Sequence, residues 1–312
     1  MEVYDFLILG AGGTGLAASM YAARLGLKTL ILGASNGSEL PIGGVITTTD
    51  LVENYPGFAN ISGFELAKKI EEQAKSYKLI TIREEKALNV EKKKNIFYVK
   101  TNKSEYQSKT ILFATGTKWR KLDVPGSIKF ENRGVYYCAL CDGPLFRDKI
   151  VAIIGGSDSA IKDSFILSKY AKKVYVIARN EISAEPVSIE RMKNDKKIEM
   201  ITKTSIKEIK GDQSVKSIIL NSPYKGKNEI KLDGLFVAIG HIPISDLAEK
   251  LGVKLNDKKE IEINYKTAET NIDGIFAAGD VTDKEFKQLI TGIADGCTSA
   301  YYAYEYVNKN KS

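Results

Sequence analysis

Runs of apolar residues followed by glycines occur twice along the chain, once in each half. Residues 4–9 form an apolar run, residues 10–15 are rich in glycine, residues 16–25 have helical spacing, and residues 29–32 are apolar again. The same order recurs in residues 150–154, 155–159, 160–170 and 173–177. A unit of strand, glycine turn, helix and strand in each half predicts two nucleotide-binding α/β domains.

The remaining pattern fills in the elements around these two units. Leu66, Ile70 and Ala74 have helical spacing and predict a helix over residues 62–77. Further strands are expected at residues 95–101, 110–114, 215–220, 230–239 and 260–263, and a last helix at residues 292–307.

The first glycine turn fits the pattern G-x-G-x-x-G, with Gly10, Gly12 and Gly15 at its three glycine positions. The first glycine permits the tight turn, the second lets a pyrophosphate approach the backbone, and the third allows the helix to pack closely. The anion then lies at the amino end of the helix. The second strand ends at residues 30–33 without the acidic residue that often binds the ribose.

A pair of cysteines lies between the two units, in the sequence Cys138-Ala139-Leu140-Cys141-Asp142. The C-x-x-C spacing suits a small disulfide that can be reduced and re-formed, and Asp142 beside it is a candidate proton donor. Two unpaired core thiols remain an alternative. Structural zinc is disfavoured, because the chain has only one further cysteine, Cys297, and one histidine. No metal site is therefore expected.

Several other segments, taken together with the glycine turn and the cysteine pair, resemble the low-molecular-weight, bacterial and archaeal type of thioredoxin reductase. The resemblance runs nearly end to end. The segments are Gly43-Gly44 with Thr47-Thr48-Thr49, Val52 to Gly57, Ala114-Thr115-Gly116, Leu235 to Pro243 and Gly274 to Val281.

The resemblance implies an α/β fold of two Rossmann-like, three-layer ββα nucleotide-binding domains, the second inserted in the first. The FAD-binding domain would consist of residues 1–117 and 244–312, and residues 118–243 would form a pyridine-nucleotide-type domain carrying the dithiol. Asp280 is expected to accept a hydrogen bond from the ribityl chain. The positions matching the family's FAD site are Gly10, Gly12, Gly13, Thr14, Gly15, Gly44, Thr49, Asn54, Ala114, Thr115, Gly116, Gly279, Asp280, Lys287, Gln288 and Leu289.

The second glycine turn departs from the family. Ser157 stands where the family usually has glycine, and only Arg179 remains of the arginines that bind the 2′-phosphate of NADPH. That phosphate usually needs a bidentate arginine or a cluster, and Glu181 adds repulsion. Weak use of NADPH is expected, which leaves NADH, NADPH bound by Arg179 alone, or a donor that is not a pyridine nucleotide. The candidate residues for this site are Gly155, Gly156, Ser157, Asp158, Ser159, Arg179 and Gly240.

The function implied by the resemblance is FAD-dependent reduction of thioredoxin or a glutaredoxin-like protein through the Cys138–Cys141 disulfide. Cys141 is assigned to the flavin side, Cys138 to attack on the protein disulfide, and Asp142 to proton donation. Two alternatives stay open: a related flavoprotein with NADH oxidase activity or a ferredoxin-type donor, and a redox-sensing flavoprotein without turnover. The family is typically homodimeric, and a homodimer is expected here.

The composition and charge of the chain disfavour several classes of function. The 312 residues carry 46 Lys and Arg against 39 Asp and Glu, a net charge of +7, with the basic residues scattered along the chain. Nucleic-acid binding is disfavoured because no basic stripe with interleaved aromatics is present, whereas an acidic protein partner would be attracted. Residues 6–23 lack charge, but their glycines and the acids before them argue against a membrane span or a signal peptide. Few cysteines favour a reducing, cytoplasmic location.

Overall fold

A computed structural model describes residues 2–33, 40–49 and 52–310 of the chain. The chain divides into two compact units, one formed by Met1–Lys118 and Ile242–Ser312 and the other by Trp119–His241. Within the described residues, no helix combines the length and the apolar character that crossing a membrane requires.

The first unit contains a sheet of seven strands in the order β3-β2-β1-β6-β5-β4, with β17 paired to β6. Strands β1, β2, β3, β6 and β17 pair in parallel, whereas β4, β5 and β6 form an antiparallel meander. These strands are β1 Val3–Leu9, β2 Thr29–Gly33, β3 Ile80–Glu84, β4 Ala87–Lys93, β5 Ile96–Thr101, β6 Glu105–Phe113 and β17 Ile275–Ala277. The helices of this unit are α1 Gly13–Arg24, α2 Gly63–Lys75, α6 Asp246–Lys250 and α7 Leu289–Lys309.

Three layers result because successive residues of each parallel strand point to opposite faces of the sheet. Phe6 and Ile8 of β1 pack with Leu16 of α1 and Ala303 of α7. The opposite face, which includes Leu7 and Leu9, packs against Val90, Phe97 and Val99 of the meander. The carboxyl end of the buried strand β1 leads directly into the glycine turn and helix α1.

The second unit has a parallel sheet in the order β11-β10-β9-β15-β8 and an antiparallel sheet in the order β12-β13-β14. Its helices are α3 Ala139–Asp142, α4 Asp158–Tyr170 and α5 Pro186–Asn194. Its strands are β8 Val135–Tyr136, β9 Ile150–Ile154, β10 Lys173–Ile177, β11 Ile198–Ile201, β12 Ile206–Gly211, β13 Val215–Tyr224, β14 Lys227–Lys231 and β15 Gly234–Val237.

The chain passes between the units at two short strands, β7 Thr117–Trp119 and β16 His241–Pro243, which pair with each other. On one side of the crossing, Ile244 N donates to Gly116 O at 3.0 Å within the first unit. On the other side, Arg120 N donates to Gly240 O at 2.9 Å within the second unit.

The α/β class and the two strand–turn–helix–strand units predicted from the sequence are confirmed, but two predicted strands are wrong. Residues 230–239 form parts of two strands in different sheets, β14 and β15. Asp233 separates them: its N–H donates to Ile150 O at 2.7 Å and its carboxylate accepts from Ile150 N at 2.9 Å. Residues 260–263 form no strand, because Ile261 makes only isolated bridges to Leu255 and Thr282.

Candidate functional site

The first glycine turn is shaped by the backbone around it. Gly10 has φ +116°, and a Cβ there would lie 2.1 Å from Ala114 O. A Cβ on Gly15 would lie 2.0 Å from Gly10 O, so helix α1 can pack this closely only without a side chain. These two glycines are required by the fold itself.

Gly12 is different, because a Cβ at this position would meet nothing closer than Gly43 O at 3.7 Å. Its backbone angles, φ −76° and ψ 176°, are open to any residue. No side chain caps helix α1 at Gly12, and the first turn of the helix carries no acidic residue. The space beside Gly12 and the uncapped helix end fit the pyrophosphate of a dinucleotide such as FAD.

The structure brings other predicted residues to this turn. Gly43 forms a bridge with Gly12, and Gly44, with φ +73°, follows it. Gly279 packs on the side chain of Thr14, where an added Cβ would lie 2.8 Å from Thr14 Oγ1. Asp280 follows Gly279 directly, so its position also lies at the amino end of α1. Gly13 packs against Leu289 of α7.

The segment Ala114-Thr115-Gly116 lies at the end of β6. Ala114 N donates to Leu9 O at 2.8 Å, which places it beside the end of β1. The Thr115 hydroxyl donates to Ile244 O at 2.6 Å, and Gly116 has φ +62°. This segment therefore joins the glycine turn to the first crossing strand.

A second cluster connects the start of α7 with two distant segments. Asn54 Nδ2 donates to Gln288 Oε1 at 3.0 Å, and Gln288 caps α7 in a reciprocal arrangement with Thr291. Lys287 Nζ donates to Asp280 O at 3.1 Å and also pairs with Glu260. Sequence reasoning missed Glu260, because no motif links residues 27 positions apart.

Thr49 is positioned by the start of helix α2. It follows a short 3₁₀ turn, Gly44–Thr48, and its carbonyl accepts from Gly63 N at 2.9 Å. A Cβ on Gly63 would lie 1.9 Å from Ile46 O, so this close approach requires glycine. The described contacts do not join Thr49 directly to the Asn54–Gln288 pair.

The cysteine pair of the second unit forms a disulfide, with an S–S distance of 2.07 Å and Cα atoms 5.3 Å apart. Cys138 precedes helix α3, and its sulfur accepts from Cys141 N at 3.1 Å. Cys138 is 8% exposed, whereas Cys141 is an exposed residue. The alternative of two unpaired core thiols is wrong.

Asp142 follows Cys141 and ends helix α3. Its N–H donates to Cys138 O at 3.1 Å, which fixes its backbone beside the disulfide. Burial raises the pKa of the Asp142 carboxyl above its usual range. A carboxyl that keeps its proton to higher pH is suited to donating that proton to a departing thiolate.

The second glycine turn is built like the first but is surrounded by carboxylates. Gly155 has φ +150°, and a Cβ there would lie 2.2 Å from Ala238 O. Ser157 caps no N–H of helix α4 with its side chain, and Ser157 and Ser159 are exposed. Gly156 O accepts from Ser183 N at 2.7 Å, which places the segment after β10 against the turn.

That segment carries acidic side chains toward the turn. The Asp158 carboxylate accepts from Glu185 N at 3.3 Å and pairs with Lys162 at 2.6 Å, and Lys162 also lies 3.5 Å from the Glu185 carboxylate. Arg179 is exposed, and Glu181 pairs with Lys203 at 2.9 Å. Gly240, with φ +99°, directly precedes the crossing strand β16.

Comparisons with known proteins show which protein family has this arrangement. The family model described as pyridine nucleotide-disulphide oxidoreductase matches residues 4–296. The chain belongs to this family. The chain is also 36% identical to a thioredoxin reductase of Treponema pallidum over 98% of its length and 97% of that protein. It is accordingly a flavoprotein-type disulfide oxidoreductase with two Rossmann-like domains.

Two solved structures extend the comparison. A thioredoxin reductase of Lactococcus lactis is 33% identical, with a TM-score of 0.92 over 98% of this chain and 99% of that one. A ferredoxin-flavin thioredoxin reductase of Clostridium acetobutylicum is 32% identical, with a TM-score of 0.53 over 99% of this chain and 100% of that one.

The described residues contain no group of three or more His, Cys, Asp and Glu side chains placed to hold a metal ion.

Proposed function

We propose that this family member is an FAD-dependent thioredoxin-disulfide reductase, acting on thioredoxin or a glutaredoxin-like protein in the cytoplasm as a homodimer. The observation that carries the proposal is the Cys138–Cys141 disulfide with a half-buried carboxyl, Asp142, directly after it. This disulfide joins residues only three positions apart, so it constrains the unfolded chain little and suits a redox couple better than a structural cross-link.

FAD would be held by the first unit. Its pyrophosphate would lie beside Gly12 at the uncapped end of α1, with Gly44, Gly279 and Asp280 around it. The cluster of Asn54, Lys287, Gln288 and Leu289, together with Thr49 and the segment 114–116, would hold the remainder of the cofactor. When bound, FAD supplies a centre that accepts electrons from a donor and delivers them in pairs.

The chain's own residues carry the thiol chemistry. Reduction of the Cys138–Cys141 bond takes up two electrons and two protons, and Asp142 supplies one proton to the thiolate that leaves. Cys138 returns this proton to the Asp142 carboxylate, and the Cys138 thiolate then attacks the disulfide of the protein substrate, which forms a mixed disulfide and releases one substrate thiolate. Cys141 attacks the mixed disulfide, which re-forms the internal bond and releases the second substrate thiol.

The exposures of the two cysteines bear on this order. Attack by Cys138 requires its sulfur to become accessible, since the residue is 8% exposed while Cys141 is exposed. The order predicts that the Cys141→Ser variant traps the mixed disulfide with substrate and that the Cys138→Ser variant does not. The reverse trapping pattern would exchange the roles of the two cysteines.

The electron donor is the second part of the proposal. Asp158, Glu181 and Glu185 place carboxylates near the second glycine turn, paired with Lys162 and Lys203. The 2′-phosphate, which NADPH carries and NADH lacks, would have only Arg179 of the family's arginines to bind it. NADPH is therefore a poor donor here, and NADH or a reduced electron-carrier protein supplies the electrons. The likeness to the Clostridium acetobutylicum ferredoxin-flavin enzyme supports the carrier.

A stopped-flow comparison tests the donor. The purified yellow protein is mixed anaerobically with NADPH, NADH or reduced ferredoxin, and the flavin absorbance is followed. Slow bleaching with NADPH and fast bleaching with one other donor are expected. Fast, saturable bleaching with NADPH would contradict the proposed donor preference while leaving the disulfide reductase proposal intact.

A further inference from the structure

The excess positive charge of the chain is confined to the second unit, which carries the dithiol. Trp119–His241 holds 22 Lys and Arg against 15 Asp and Glu, a net charge of +7. The other unit holds 24 basic and 24 acidic residues, which cancel. In the sequence alone the basic residues are scattered along the chain. The difference in net charge between the two units is visible only once the bounds of the units are known.

Part of this charge is concentrated where the parallel strands of the second unit begin. Lys149 precedes β9, Lys172 precedes β10, and Lys196 and Lys197 precede β11. These three strands are neighbours in the sheet, so their amino ends lie along one edge. We call the exposed residues along this edge the basic belt: Arg147, Lys149, Lys172, Lys193, Lys196 and Lys197.

Backbone contacts hold the belt together. Lys172 N donates to Lys149 O at 2.8 Å, and Val174 N donates to Lys197 O at 2.9 Å. Lys197 Nζ reaches across to Ser168 O at 2.9 Å. Three acids also lie along this edge: Asp148, Asp195 and Asp233, which precedes the neighbouring strand β15. The Asp195 carboxylate accepts from Lys197 N at 2.8 Å, and the Asp233 carboxylate accepts from Ile150 N at 2.9 Å.

The belt begins close to the disulfide. Arg147 follows Cys141 by six residues, which limits the distance between their Cα atoms to about 20 Å. Asp148 N donates to Tyr170 O at 3.0 Å, and the Arg147 guanidinium lies 5.7 Å from the centre of the Tyr170 ring. These contacts hold the segment after the dithiol against the end of α4, next to Lys172.

We propose that the basic belt docks an acidic redox protein whose disulfide the Cys138–Cys141 pair reduces. This inference rests on the proposed function and adds the charge of the partner and the surface that receives it. The starts of three adjacent strands span about 10 Å, which is wider than a single small anion and suits a protein surface. The belt accelerates encounter by attracting the negative partner toward the dithiol.

The test measures reoxidation of the reduced holoenzyme, so that it does not depend on the donor. The holoenzyme is photoreduced anaerobically with a deazaflavin and mixed with an oxidised, acidic bacterial thioredoxin, and the flavin absorbance is followed. Lys149→Glu combined with Lys172→Glu is expected to lower the second-order rate constant about tenfold at low ionic strength. The rate constant of the variant with Lys149→Gln and Lys172→Gln should lie between those of the glutamate variant and the wild type.

Near 0.5 M salt, the rate constants of the glutamate variant and the wild type should differ by less than about twofold, because charges are then screened within a few ångströms. Reoxidation by uncharged 2-hydroxyethyl disulfide should be unchanged in both variants. The matched control is Lys207→Glu with Lys210→Glu on β12, which makes the same change of net charge away from the belt and is expected to stay within about threefold of wild type.

The outcomes separate the inference from the function. If the wild type reduces thioredoxin and the belt variant does so equally fast, the belt is not the docking surface and the reductase proposal stands. If the wild type reduces 2-hydroxyethyl disulfide but not thioredoxin, the proposed protein substrate fails and the docking inference falls with it. The inference would also be overturned if the belt variant lost binding to poly(U) RNA while its rate constant for reoxidation by thioredoxin stayed unchanged.

Discussion

Replacing Gly12 by alanine is expected to weaken the binding of FAD while leaving the fold of the protein intact. Gly12 has φ −76° and ψ 176°, which alanine adopts without strain, and the new methyl group would meet nothing closer than Gly43 O at 3.7 Å. The change gains about 0.4 to 1 kcal/mol through the unfolded state. It loses a similar amount because Gly12 is the N-cap of α1, where alanine is less favourable than glycine. The midpoint of thermal unfolding without cofactor should therefore stay within about 3 °C of the wild type.

The same methyl group would project into the space assigned to the FAD pyrophosphate. Overpacking of a close contact costs about 1 to 3 kcal/mol. At about 1.4 kcal/mol for each tenfold change, this corresponds to a loss of FAD affinity of about fivefold to 140-fold. The variant should be purified with less flavin than the wild type and should need added FAD to recover its yellow colour.

The measurement is a titration of the flavin-free protein with FAD, together with thermal unfolding with and without FAD. The matched control is Gly156→Ala in the second glycine turn, where the nearest atom to an added Cβ is Ala178 Cβ at 3.1 Å. This control should bind FAD like the wild type. A Gly12→Ala variant with unchanged FAD affinity would refute the assignment of the pyrophosphate to the first turn.

Two substitutions and one labelling experiment test other parts of the mechanism and the fold. Asp142→Asn should slow disulfide reduction by about a hundredfold and remove the decline that the wild type shows as pH rises through the raised pKa of Asp142; a retained decline would exclude Asp142 as its source. Hydrogen bonds from Lys173, Lys225 and Tyr224 lower the pKa of Glu199 to about 2, so Glu199→Gln should cost about 1 to 2 kcal/mol at pH 7. Because the folded pKa lies below the unfolded one, this difference in thermal stability should fade below about pH 4, and a constant difference would contradict it. Burial raises the pKa of the Cys297 thiol to about 11, so DTNB should label the native protein slowly at pH 8, and rapid labelling of this thiol would contradict its burial.

The sequence is most informative for strands that are covered on both faces. Residues 150–154 and 173–177 predict strands with the bounds that β9 and β10 have, because such strands are nearly continuous apolar runs. Helix bounds were less accurate. Helix α1 begins at Gly13 rather than residue 16, since glycine and threonine in a first turn carry no apolar periodicity.

The misassigned strand at residues 230–239 shows what an apolar pattern cannot report. Ile230 and Phe236 belong to different sheets, and the change of sheet depends on Asp233 bonding to Ile150, which is far away in sequence. The same limit applies to the site. The glycine turns and the cysteine pair are local motifs, but the pairing of Lys287 with Glu260 depends on tertiary contact and could not be foreseen.

The most direct test counts the electrons that the oxidised protein accepts. An anaerobic dithionite titration followed by flavin absorbance should consume two electron pairs per flavin, one for the flavin and one for the Cys138–Cys141 disulfide. The variant with both cysteines replaced by serine should consume one pair and still bleach. A wild type that is fully reduced by a single pair, with its disulfide left intact, would contradict the passage of electrons from the flavin to the dithiol.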